Sequence, residues 1–152
     1  MSAEAEGQRE DFMQLYKQKK RVIKMNLQKQ GQIPEAELDI MRVLWESGKE
    51  MSVSEIVSAL SNKHLWKNPT ATVLLKRLST KGYISINRSS STYLYAASIS
   101  ENEYQSIMLK SILGGSVKSM VASLLDNNDI NEDEISEIAE LLEKKRIELK
   151  KD

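Results

Sequence analysis

The chain has no cysteine, one histidine, one phenylalanine and two prolines in 152 residues, and nowhere does it run to about 18 consecutive apolar residues. Without cysteine there is no disulfide, no thiolate metal site and no cysteine nucleophile. The lone His64 sits in a polar loop beside Lys63 and has no second histidine to share a metal, so it reads as a surface residue rather than a general base. Gly114-Gly115 lacks the flanking strand and the Gly-Lys-Ser ending of a phosphate loop, and the acids at 126–129 and 132–134 are not spaced as calcium ligands. The charged N-terminus carries no apolar signal core. These absences predict a cytoplasmic protein without membrane insertion, without a cofactor or metal, and not an enzyme.

A more local absence is more informative. From Trp66 to Tyr95 there is no Asp or Glu, although a solvated helix normally mixes both signs for i,i+4 pairing. The formal net charge is zero, yet 52–96 carries six cations against one acid. The flanking 33–51 has two cations against five acids, and 97–152 seven against twelve. A basic middle between acidic segments suits a nucleic-acid partner.

Within that middle, Ala71, Leu74, Leu75 and Leu78 recur at i, i+3, i+4 and i+7, which predicts a helix with one core-facing stripe. Asn68 is the expected N-cap, Pro69 fits the first turn, and Lys81-Gly82 closes the helix. The period then changes to two. Residues 83–86 and 92–95 predict a two-stranded hairpin around the turn cluster 87–91, so a basic helix leads into a basic wing. Thr70, Thr72, Val73 and Lys76 project from the N-terminal half of the helix, where base edges are read. Lys67, Arg77, Lys81 and Arg88 are placed for phosphates, with the hydroxyls of Ser52, Ser54, Ser89, Ser90 and Ser91 as neutral donors. Arg77 has an equal competing role as an ion-pair partner for Glu37, Asp39 or Glu46.

Upstream, one helix is expected over 34–47, with Leu38, Met41, Leu44 and Trp45 on one face and Gly48 as its stop. Another starts at a Ser52–Glu55 capping box, with Met51 and Ile56 as a staple. Residues 1–32 read as a basic extension, flexible or weakly helical, in which Lys17, Lys19, Lys20 and Arg21 serve as a solvated tail or as an arm on DNA. Met25, just ahead of the first strong helix, is a second candidate start of translation. The predicted fold class is mainly α with a small β-hairpin: a winged helix-turn-helix domain over 33–99, followed over 100–152 by a three-helix dimerisation domain.

That last segment is acidic. Tyr104, Ile107, Met108 and Ile112 mark its first helix, Val117, Met120, Val121, Leu124 and Leu125 the second, and Ile135, Ile138 and Leu142 the third, behind an Asn131 cap. Three short amphipathic helices cannot cover these stripes among themselves, so a homodimer is expected.

The chain resembles the BlaI/MecI penicillinase and methicillin-resistance repressors and the related CopY repressors over about residues 33–144. The likeness rests on AELDIMRVLW at 36–45, on TATVLLKRL at 70–78 with Lys81-Gly82-Tyr83, and on Ser119-Met120-Val121. It implies a dimeric winged-helix repressor on a palindromic DNA operator. Two departures stand out. The paired Cys-x-Cys metal motifs of CopY-like members are missing, which removes copper sensing by that route. Where BlaI/MecI members are inactivated by a protease at an Asn-Phe bond, this chain has Ser123-Leu124. The alternative from another class is a winged-helix module that docks an acidic protein.

Overall fold

The computed structural model describes residues 2–151, with the side chains of Gln28, Gln30, Ile112 and Leu113 outside the description. The elements run α1 (Ala3–Gln30), α2 (Glu35–Ser47), β1 (Met51–Ser52), α3 (Val53–Ala59), α4 (Asn68–Thr80), β2 (Ile84–Asn87), β3 (Leu94–Ala97), α5 (Glu101–Leu113), α6 (Val117–Asn127) and α7 (Glu132–Lys151). Two compact units result, Met1–Ile112 and Leu113–Asp152.

The first unit is a winged helix. Ile40, Met41 and Leu44 of α2, Ile56 of α3, and Ala71, Leu75 and Leu78 of α4 are all buried in one core, as their helical spacing requires. Burying each of these Ile, Leu and Met side chains is worth about 1.5–3 kcal/mol. The capping box forms as expected: Ser52 Oγ accepts from Glu55 N–H at 3.2 Å and the Glu55 carboxylate accepts from Ser52 N–H at 2.7 Å. Gly48 ends α2 in the left-handed conformation.

The sheet is larger than a hairpin. β3 pairs antiparallel with β2 (Ile84↔Ala97, Ile86↔Tyr95) and with β1 (Met51↔Tyr95), giving three strands in the order β1-β3-β2. A two-residue strand leaves no period to read in sequence. The second wing strand begins at Leu94 rather than at 92, because Thr92 and Tyr93 belong to the turn.

Residues 1–32 depart most from expectation. Of the two readings, flexible or weakly helical, the structure forms the helical one, chiefly the 28-residue α1, and it adds that Ile23 and Leu27 enter the core at 1% and 4% exposure. The weak apolar signal hid this, because only the last turns of α1 are seated. Lys20 Nζ reaches Glu103 of α5 at 3.3 Å, and Asn26 Nδ2 donates to the Lys81 carbonyl at 2.9 Å.

The expected boundary at 99/100 also moves, since α5 belongs to the first unit. Tyr104 is buried at 3% exposure, accepts from Ile33 N–H through its hydroxyl, and meets Tyr83 edge-on at 5.9 Å. Tyr104 is therefore a core residue and leaves the dimerisation set. Ile107 and Met108 pack on the same core.

In the second unit α6 and α7 bury no described residue, and α7 is a long helix of 20 residues. Val117, Leu124, Leu125, Ile135 and Leu142 are exposed, with Met120, Val121 and Ile138 half-buried. The Ile112 side chain, also expected on that face, lies outside the described residues. No described helix is long and apolar enough to cross a membrane.

Candidate nucleic-acid interface

With Ala71, Leu75 and Leu78 turned into the core, the opposite side of α4 is left to solvent. Thr70, Thr72, Val73, Lys76 and Arg77 are exposed there. Thr72 Oγ1 donates to the Asn68 carbonyl at 2.8 Å. Arg77 makes no ion pair among the described residues. Two of its three expected partners are engaged elsewhere, Glu37 with Lys81 and Asp39 with Arg42, Lys63 and His64, while Glu46 forms no ion pair among the described residues.

The start of α4 differs from expectation by one residue. Lys67 is the N-cap and Asn68 the first helical residue, with Pro69 second. The Asn68 side chain instead donates to Ser54 Oγ at 3.0 Å, tying α4 to α3. Both Lys67 and Ser54 are exposed at this junction. Ser52 Oγ is occupied as the α3 cap, though its O–H remains free to donate.

At the far end α4 closes in a Schellman motif. Tyr83 N–H donates to the Leu78 carbonyl and Gly82 N–H to the Ser79 carbonyl, both at 3.0 Å, with Gly82 at φ +88°. A Cβ on Gly82 would meet Val22 and Ile23 of α1 at 3.7 and 3.8 Å. Here Lys81 parts from its expected role. Its Nζ lies 2.8 Å from Glu37 Oε2, with the lysine side chain 19% and the glutamate 2% exposed. A buried carboxylate holds this cation inside the protein, so Lys81 is not available to a phosphate.

The wing tip spans 88–93. Arg88, Ser89, Ser90, Ser91, Thr92 and Tyr93 are exposed. The Arg88 guanidinium sits 5.6 Å from the Tyr93 ring centre, which limits its rotamers while leaving its N–H groups outward. Asn87 Nδ2 donates to Glu50 at 3.2 Å and its Oδ1 accepts from Ser89 N–H at 3.0 Å. Ser90 Oγ donates to the Thr92 carbonyl.

One cluster escaped sequence reasoning. Asp39 of α2 is 3% exposed and takes Arg42 and Lys63 at 2.9 Å on one oxygen, and His64 Nε2 at 2.8 Å on the other. His64 in turn stacks on Trp66 at 3.9 Å. Far from a free surface residue, it fastens the loop that enters α4, and the tie spans 25 residues of sequence. Burial would raise the Asp39 carboxyl, but hydrogen bonds from Lys63, His64 and Arg42 outweigh it and hold the group at about 2 against an ordinary 3.8. The folded value is the lower one, so the stabilisation is complete above the unfolded value and is lost as pH falls from about 4 to 2. At about 1.4 kcal/mol per unit it amounts to about 2 kcal/mol. Urea midpoints for wild type and Asp39→Asn should differ at pH 6 and converge near pH 2. Parallel pH curves would remove this role.

A family model, Penicillinase repressor, matches residues 33–144. The chain belongs to the penicillinase repressor family. The penicillinase repressor of Bacillus licheniformis is 30% identical over 121 residues, covering 77% of this chain and 94% of that one. The Staphylococcus aureus penicillinase repressor is 31% identical over 118 residues, covering 75% and 93%. The methicillin resistance regulatory protein MecI of Mammaliicoccus sciuri is 26% identical over 118 residues, covering 75% and 95%. Family and fold together make this penicillinase-repressor family member a winged-helix regulator that represses transcription and binds DNA. The match begins at Ile33, so α1 lies outside it.

Proposed function

We propose that the protein represses transcription as a homodimer on a pseudo-palindromic operator, each protomer laying α4 in a major groove and its wing along the phosphates. The observation that carries this is the exposed side of α4, free of acid from 66 to 95 and with Arg77 unpaired among the described residues. Thr70, Thr72, Val73 and Lys76 read bases, Thr and Val offering methyls to thymine. Lys67, Arg77 and Arg88 bind phosphates, with hydroxyls of Ser52 and Ser54 as neutral donors, and those of Ser89 and Ser90 once they release Asn87 and the Thr92 carbonyl. The exposed stripes of α6 and α7 support pairing through the second unit, since a helix pair with no buried side chain gains little by folding alone. Ser123-Leu124 lies inside α6, so a protease reaches that bond only when the helix opens locally.

The test is fluorescence anisotropy with a palindromic duplex from the protein's own upstream region and with a scrambled duplex. A preference of about 10³ or more is expected. Absence of binding to either at low salt would favour the protein-docking alternative. Thr72→Ala should cost about 1–3 kcal/mol on the operator and little on scrambled DNA. Equal losses on both would reject a base-reading Thr72.

A further inference from the structure

A cleft of about 330 Å³ opens between α1 and α5 of the first unit, at the lower end of the ~300–1,000 Å³ that small-molecule sites occupy. Its one acid is fully used. Glu103 Oε2 accepts from Ser100 N–H at 3.3 Å and Glu103 N–H donates to Ser100 Oγ at 3.1 Å, the capping box that starts α5. Glu103 Oε1 takes Lys20 Nζ at 3.3 Å, and that ammonium also lies 4.5 Å from the centre of the Tyr16 ring. Lys20 is thus fixed from two sides and its charge is matched. Three more cations line the cleft, Arg21 and Lys24 from α1 and Lys110 from α5. All three are exposed and make no ion pair among the described residues. Lys24 stands four residues from Lys20 and three from Arg21, so like charges are neighbours on the helix surface and repel each other. Between them the lining is mostly carbon: Ile107, half-buried with its inner side on the core, and the methylene stems of the basic side chains.

We propose that this cleft binds a small organic anion with two acidic groups on an apolar body. The body covers Ile107, and the acidic groups meet Arg21, Lys24 and Lys110. Charge selects the sign of the ligand, since three unmatched cations gain by meeting an anion while Lys20 already neutralises Glu103. Carbon selects the body: a bare phosphate or sulfate would satisfy the cations and leave Ile107 wet. A DNA backbone has the same shortcoming, and the cleft contains none of the α4 and wing residues proposed to meet DNA. Its α1 wall also lies outside the residues that match the family.

Calorimetric titration of the DNA-free full chain at low salt tests it, with terephthalate as a rigid dianion, octanedioate as a flexible one and sulfate as charge without a body. At least one dianion should bind with a dissociation constant below about 1 mM, and sulfate at least about tenfold more weakly. Lys24→Gln combined with Lys110→Gln should weaken that dianion at least about tenfold. Both positions are exposed and free of ion pairs among the described residues, so the fold is left alone. Glu103→Gln should tighten binding by about threefold or more, because glutamine keeps the capping box while Lys20 becomes a fourth unmatched cation. A merely structural role for these residues produces no such gain. Failure of both dianions to bind would overturn the proposal, as would sulfate binding as tightly as they do. Dianion affinity unchanged in the lysine double variant would place binding elsewhere and overturn it too. If neither dianion binds and the double variant loses DNA affinity, the cleft is a DNA arm; loss of self-association instead would assign it to an acidic helix of a second copy.

Discussion

Replacing Lys81 by methionine is expected to destabilise the fold by about 3–5 kcal/mol, a large share of what a unit of this size has to lose. The reason lies in Glu37. Its carboxylate is 2% exposed and Lys81 Nζ, 2.8 Å away, is its only ion-pair partner among the described residues. The methionine would keep most of the lysine's bulk and remove the charge, leaving a buried anion unmatched. Glu37→Gln together with Lys81→Met should regain much of the loss, because the desolvated charge then disappears with its partner. Urea unfolding at pH 7 measures both. A change below about 1 kcal/mol for the single variant would mean that water reaches Glu37, and Lys81 would return to the set of phosphate-binding candidates. Position matters as well as energy: the same residue caps α4, its carbonyl accepts from Asn26, and Gly82 beside it is covered by Val22 and Ile23. Loosening this corner would shift α4 against α1 and α2.

The second large effect is on DNA. Raising salt from about 50 to 200 mM should weaken operator binding by about 10³, because a dimer neutralising about six phosphates releases about as many counterions. Per protomer the cations expected to do this are Lys67, Arg77 and Arg88, all exposed on α4 or the wing. Anisotropy titrations over a salt series give the slope of log K against log salt, expected to be about −5. Arg77→Ala should reduce its magnitude by about 2, one contact from each protomer, and weaken operator and scrambled DNA alike. A slope near zero would sink the electrostatic footprint. An Arg77→Ala slope equal to wild type would move that side chain off the phosphates.

Periodicity and capping chemistry were enough to read the winged helix. The stripe through Ala71, Leu75 and Leu78, the Ser52–Glu55 box and the stop at Lys81-Gly82 are local signals, and local signals survive in a single sequence. The exposed set proposed to read bases follows from the same stripe, since once one side of a helix is buried the other is left to solvent. Tertiary structure decided what depends on residues far apart in the chain. Lys81 is 44 residues from Glu37, and no rule of spacing separates a lysine that meets phosphate from one that neutralises a buried acid. Tyr104, apolar and periodic, was equally suited to a dimer face, until Ile33, Trp45 and Tyr83 closed around it. His64 looked solvated because its partner Asp39 stands 25 residues earlier. α1 was hidden for a related reason: a helix seated only at its last turns has little amphipathic pattern, and whether those turns meet a core is settled by the core.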